Sequence, residues 1–255
     1  MPTWIVNADV FSDFAETCGT LVVSELKHRL LKGDVRPGDI FLPGQGLTEA
    51  ETLEIETAAR HHGHASAFGL WRDTIGRRRA PRALTHKHRP ENSLISIPER
   101  IGDGLYAADL MIAAGNEIIS DHVTGQHVQG MVLIEACRQM FIAVSELCHM
   151  DDGEGRRSYV VFNKMDVGFQ AFTFPLPAQI EYREVSAVSP RPDRVAISAE
   201  LTVVQNGAVT TTITVEYTLF RPEQLRRKEV EKGSAAVVAY ALAVAERMET
   251  LAAAE

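Results

Sequence analysis

The sequence has little that would cross-link, export or anchor it. Its three cysteines, Cys18, Cys137 and Cys148, form no C-x-x-C pair. Two of them lie inside apolar helical runs, where a free thiol behaves as a small hydrophobe. That pattern points to a reducing compartment without disulfides. No stretch approaches the roughly 20 consecutive apolar residues that span a bilayer, so no membrane role is expected. The opening "MPTWIVNADVFSDF" has neither a basic start nor a continuous apolar segment, which argues against secretion and for a soluble, cytoplasmic protein. Positive charge is also in deficit, with 26 Lys and Arg against 34 Asp and Glu and a formal net charge of −8. A general attraction to nucleic acid or anionic lipid is thereby excluded. G-x-S-x-G, P-loop and Rossmann fingerprints are all missing, so a serine hydrolase, a nucleoside triphosphatase or a dehydrogenase finds no support, and no cofactor is expected.

What is present suffices for a full core. At 255 residues and 45% hydrophobic content, one or two domains are expected. Residues 1–80 read as a small α/β unit. "WIVNA" is a short strand; a helix runs from about Ser24 to Leu31 and stops at Gly33. "DIFLPG" is strand-like and ends in "PGQG", read as a turn and no more. A second helix opens with Thr48 as N-cap, carries acids in its first turns and is followed by Gly63. "HHGH" (His61, His62, His64) is read as a helix-end cluster, since no Cys or carboxylate at ligand spacing supports a metal site there; Asp121, His122 and His127 could ligate a metal by residue type, but none is expected.

Residues 72–92 are charged, contain two prolines and lack periodicity, which marks a linker. Arg72, Arg77, Arg78, Arg79, Arg82, Lys87 and Arg89 concentrate there. Such a run is either a solvated connection or a docking patch for an acidic partner or a phosphate-bearing substrate. Residues 81–222 form the second unit. "SLISIPER" and "LYAADLMIA" are strands around the turn "IGDG"; a helix follows from Gly130 to about Met150. Four further strands come after it, the last two joined at Asn206-Gly207, a strong hairpin signal. Residues 223–255 are a helical extension.

On a helical projection the central helix is inverted relative to a surface helix. Glu135, Arg138, Gln139, Glu146 and His149 fill one narrow stripe, and apolar residues cover the rest. It should therefore be largely enclosed, as when a sheet wraps around it. Glu146 and His149 are read as facing solvent. Glu135, Arg138 and Gln139 occupy the early turns beside a histidine-bearing loop, where an unpaired buried charge is costly; they are either paired with one another or used chemically.

The stretch "NEIISDHVTGQHVQGMVLIEACRQ" resembles the active-site region of β-hydroxyacyl-carrier-protein dehydratases, in which a His, a Gly and a glycine-bounded helix start lead to an acid. His122, Gly125, Gly130 and Glu135 match in kind, although the His-to-Glu spacing is one residue shorter and the loop prolines are absent. The A-factor biosynthesis hot-dog family, which makes γ-butyrolactone precursors, is a closer match. His86, Lys87, Glu91 and Leu94 look like its opening. Asp121, His122, Gly125, His127, Val128, Gly130, Met131, Leu133, Glu135, Ala136, Arg138 and Gln139 look like its signature. The resemblance covers about residues 83–220.

That resemblance implies an α+β, hot-dog fold: an antiparallel sheet around a long helix, here preceded by the small α/β unit. Fuller family members carry two hot-dog halves and this chain carries one, so a homodimer with sites at the interface is expected. The implied reaction moves a β-ketoacyl group from acyl carrier protein or CoA to the hydroxyl of dihydroxyacetone phosphate. Either Glu135 or His122 is the base; Gly130 and Met131 amides stabilise the oxyanion; Arg138 or Lys87 holds the acceptor phosphate. His86, Asp121, His127 and Gln139 are expected around the substrate. A thioesterase or dehydratase of the same fold is one alternative reading, and a non-catalytic acyl-binding or scaffold protein is another.

Overall fold

The structure, a computed structural model, describes residues 2–71, 78–121, 125–149, 159–191 and 194–252. In the N-terminal unit, three short strands, β1 (Thr3–Asn7), β2 (Leu21–Val22) and β3 (Ile40–Pro43), run parallel in the order β2-β1-β3. Helix α2 (Val23–Lys32) buries Val23, Leu26 and Leu30, spaced to share one face, and ends at Gly33 with φ 69°. Helix α3 (Glu49–His61) begins with a reciprocal cap: the Glu51 amide donates to Thr48 Oγ1, and the Thr48 amide donates to the Glu51 carboxylate. Helix α1 (Ser12–Cys18) was not foreseen. Its seven residues bury only Phe14 and Ala15, too few to show a helical period.

The second unit is a six-stranded antiparallel sheet of β4 (Glu99–Gly102), β5 (Leu105–Asp109), β6 (Tyr159–Phe169), β7 (Gln179–Arg191), β8 (Arg194–Gln205) and β9 (Ala208–Phe220). The strand order is β4-β5-β7-β8-β9-β6. Asn206 and Gly207 both take positive φ, 52° and 77°, as a tight two-residue hairpin turn requires. Along β8, Ile197, Ala199, Leu201 and Val203 are buried at every second position. Residues 93–100, read as one strand, make only bridges at Ile95 and Ser96 before β4 begins.

The central helix (Gly130–Cys148) lies against the inner face of this sheet, with Met140, Phe141, Ala143 and Val144 fully buried. Phe141 stacks on Tyr217 of β9 with ring centroids 4.7 Å apart. The result is the hot-dog arrangement. The C-terminal helix (Pro222–Ala252) is exposed along its described length except at the half-buried Leu225, and among the described residues no helix is long and apolar enough to cross a membrane.

Two expectations about the junction between the units are corrected. "PGQG" is more than a turn. The fully enclosed Gln45 side chain donates to the carbonyls of Leu110 (2.9 Å) and Leu176 (3.2 Å) and accepts from the Ile112 amide (2.9 Å). A Cβ on Gly44 would meet Asn7 Oδ1 at 1.8 Å, so only glycine allows this approach. Nor are residues 78–92 a solvated linker, because Ala80 and Thr85 are buried against the hot-dog unit. Their charge and prolines hid this, since the apolar positions between them are too few to mark a face. Arg72 and Arg77 lie outside the described residues.

Candidate active site

The early turns of the central helix carry a compact charged cluster. Glu135 is its hub. Arg138 donates through Nε (2.7 Å) and Nη2 (2.9 Å) to the two carboxylate oxygens, a bidentate fork between residues three apart on one helix. Lys87 Nζ approaches Glu135 Oε1 at 2.6 Å, and Gln139 Nε2 donates to the same oxygen at 2.9 Å. Lys87 is delivered by the chain segment that crosses over the helix, immediately after His86, whose φ of 55° turns the backbone sharply. Burial alone would raise the Glu135 pKa, but the bonds and charge of Arg138, with Gln139 and Lys87, outweigh it and hold the carboxyl at about 2.

Gln139 serves the protein rather than an open site. It is fully buried, accepts the Leu94 amide at 2.7 Å and donates to the Asn92 carbonyl at 2.8 Å. His86 is likewise engaged, its Nε2 lying 2.8 Å from Glu146 Oε1. The solvent-facing reading of Glu146 and His149 is corrected. His149 Nε2 lies 2.7 Å from Glu184 Oε2, and both helix side chains are largely enclosed. Sequence could not pair them, because His86 and Glu184 stand 60 and 35 residues from their partners.

The helix start is more open. Gly130 is its first residue, and among the described residues the amides of Gly130 and Met131 find no backbone acceptor. These orphan donors, at the positive end of a 19-residue helix, suit a developing negative charge. Met131 is 61% exposed. The Phe169 ring lies over Gly130, where a Cβ would meet it at 2.7 Å. His127 is half-buried, with its ring 4.8 Å from that of Phe172. Asp121 ends the short helix Glu117–Asp121 and is exposed. His122 lies outside the described residues. Glu135 stands five positions beyond Gly130, about 7.5 Å along the axis.

A lone loop with histidines and glycines is common, but a sheet-wrapped helix bearing this carboxylate cluster is more specific. Residues 73–221 match the A-factor biosynthesis hotdog domain, AfsA. The chain belongs to that family. Among solved structures, the AfsA-family chain is similar to a conserved protein of Pseudomonas aeruginosa, with 15% identity, 48% of this chain and 86% of that one covered, and a TM-score of 0.35. It is also similar to a mutant thioesterase of the same organism, at 11% identity, 49% and 81% coverage and a TM-score of 0.38. A hypothetical thioesterase protein with coenzyme A from Streptococcus pneumoniae gives 13%, 49% and 84%, and 0.34. No curated protein matches the chain.

Sequence reasoning missed Arg79. It stood among neighbouring arginines in a stretch read as linker. In the fold its Nη1 donates to the carbonyls of Ser93 and Met111, and Arg79 lines a cavity at the junction of the two units.

Proposed function

We propose that this AfsA-family chain is an acyltransferase that moves a β-ketoacyl group from a carrier-protein or CoA thioester to the hydroxyl of a small phosphorylated alcohol such as dihydroxyacetone phosphate. The observation that carries the reading is one carboxylate held between two cations, Lys87, Glu135 and Arg138, on the first turns of the enclosed helix. The trio has a net charge of +1, which favours a phosphate-bearing acceptor over a neutral one.

A carboxyl with a pKa of about 2 is a weak proton acceptor for an alcohol. Glu135 is therefore assigned to aligning Lys87 and Arg138, and His122 to the role of base. The hydroxyl attacks the thioester carbonyl as His122 takes its proton. Negative charge collects on the carbonyl oxygen, where the Gly130 and Met131 amides stabilise it. The thiol leaves with the proton that His122 returns.

A second copy of the chain belongs to this reading. Strand β6 is the last strand of the sheet, and Tyr159, Phe162, Val167 and Phe169 on it are exposed. An unpaired, apolar edge is a template for another strand. Pairing two β6 edges would continue the sheet and set Phe169, which lies over the helix start, at the subunit boundary.

The test is mass spectrometry of the purified protein with β-ketoacyl thioesters, with and without dihydroxyacetone phosphate. An ester of the acceptor, formed only when the acceptor is present, is expected. Free acid at the same rate without it would replace acyl transfer by hydrolysis, and enoyl product from a β-hydroxyacyl thioester assayed in parallel would replace it by dehydration.

A further inference from the structure

A cavity of about 650 Å³ lies between the N-terminal unit and the end of the hot-dog sheet. It is separate from the Glu135 cluster. Gln139 takes the carbonyl of Asn92 and Arg79 takes that of the next residue, Ser93. Asn92 closes a 3-10 turn (Pro90–Asn92) and Ser93 is extended, so these neighbouring carbonyls serve two different sites.

The cavity has an unusual charge layout. Arg79 spends only Nη1 on the protein, bonding to the carbonyls of Ser93 and Met111. Among the described residues its Nε and Nη2 have no acceptor. Burial lowers the pKa of this guanidinium from its ordinary value, while the nearby charges of Glu49 and Glu91 act in the opposite sense. Those carboxylates line the same cavity, and among the described residues neither makes a hydrogen bond or a close ion pair. The rest of the wall is mainly apolar, with Leu47, Met111 and Pro177 contributing.

Free donors on one side and free carboxylates on the other select against simple ions. A plain anion meets Arg79 but is repelled by Glu49 and Glu91; a plain amine meets the carboxylates but is repelled by Arg79. A molecule with both charges satisfies both walls. We propose that this cleft binds a small zwitterion of the amino-acid type, its carboxylate on Arg79, its ammonium on Glu49 and Glu91, and an apolar body against Leu47, Met111 and Pro177. The site is independent of the acyl-transfer reading and unites two parts of the chain, a common place for ligands.

The test is calorimetric titration of the full chain with three molecules of nearly the same carbon body. Leucine carries both charges, 4-methylpentanoate only the carboxylate and 3-methylbutan-1-amine only the amine; methionine and phenylalanine extend the zwitterion set. Saturable binding of at least one amino acid, with both single-charge compounds at least about tenfold weaker, is expected. The Glu49→Gln, Glu91→Gln double variant should weaken amino-acid binding by a similar factor. Among the described residues neither carboxylate bonds to the protein, so circular dichroism should match the parent. Amino-acid binding unchanged in that variant would overturn the proposal. So would silence from all three amino acids, or a single-charge compound binding as tightly as leucine.

Discussion

Gln139, on the central helix, accepts the backbone amide of Leu94 at 2.7 Å and donates to the carbonyl of Asn92 at 2.8 Å. One buried side chain thus stands in for the strand partner that the covering segment lacks. Replacing it with leucine fills the volume but orphans an amide and a carbonyl inside the protein. Gln139→Leu should destabilise the fold by about 2–4 kcal/mol. Urea unfolding checks this, with a lower midpoint and an unchanged slope expected. A midpoint equal to that of the parent would show that water or a backbone shift satisfies both groups.

Glu135 gives a pH signature. Its carboxyl is held at about 2 in the folded chain against an ordinary 4.5. A lowered folded-state value means stability that is complete above about pH 4.5 and lost as pH falls toward 2. For this largely enclosed group the contribution is on the order of 3 kcal/mol. Glu135→Gln should therefore be less stable than the parent at pH 7, with the gap closing between pH 4.5 and pH 2. A gap independent of pH would show that the charge is not what the cluster uses.

The joint between the units is the next prediction. Gln45→Ala removes three bonds from enclosed groups of Leu110, Leu176 and Ile112. A loss of about 3 kcal/mol is expected, read as a lowered thermal midpoint. Protease sensitivity between residues 61 and 80 should rise with it. A variant as stable as the parent would mean that the two units hold together by other contacts.

Subunit pairing through β6 has its own check. Val167 and Phe169 are exposed on that edge. Val167→Lys with Phe169→Lys places like charges on both sides of the proposed seam. Sedimentation should change from a dimer to a monomer with far-ultraviolet circular dichroism retained. A parent that sediments as a monomer, or a variant that stays dimeric, removes the β6 seam.

Local signals in the sequence located most elements. Thr48, with acids behind it, marked the start of α3, and Asn206-Gly207 marked the last hairpin, the turn between β8 and β9. The inverted polarity of the central helix foretold its enclosure. What stayed hidden depends on distant partners. Nothing near Gln45 or Arg79 in the chain indicates that each closes bonds on a segment over 10 residues away. Charge made Arg79 look solvated, although a guanidinium can be buried when carbonyls accept its hydrogen bonds. The cluster at Glu135 was partly legible, because Arg138 and Gln139 are helical neighbours; Lys87 comes from 48 residues earlier, by the difference of the two numbers.

The family match begins at residue 73, yet the side chain that closes the end of the sheet is Gln45. Cut at the family boundary, the matched piece would present the carbonyl of Leu110 and the amide of Ile112 bare to water at that end, while Leu176 keeps its bond from Gln205. The matched segment is therefore shorter than the segment that closes the end of the sheet. Exchanging the N-terminal unit for another requires a donor of the same kind: a neutral side chain that gives protons through one atom and accepts through another. Only glutamine and asparagine carry such an amide, and asparagine is one carbon shorter.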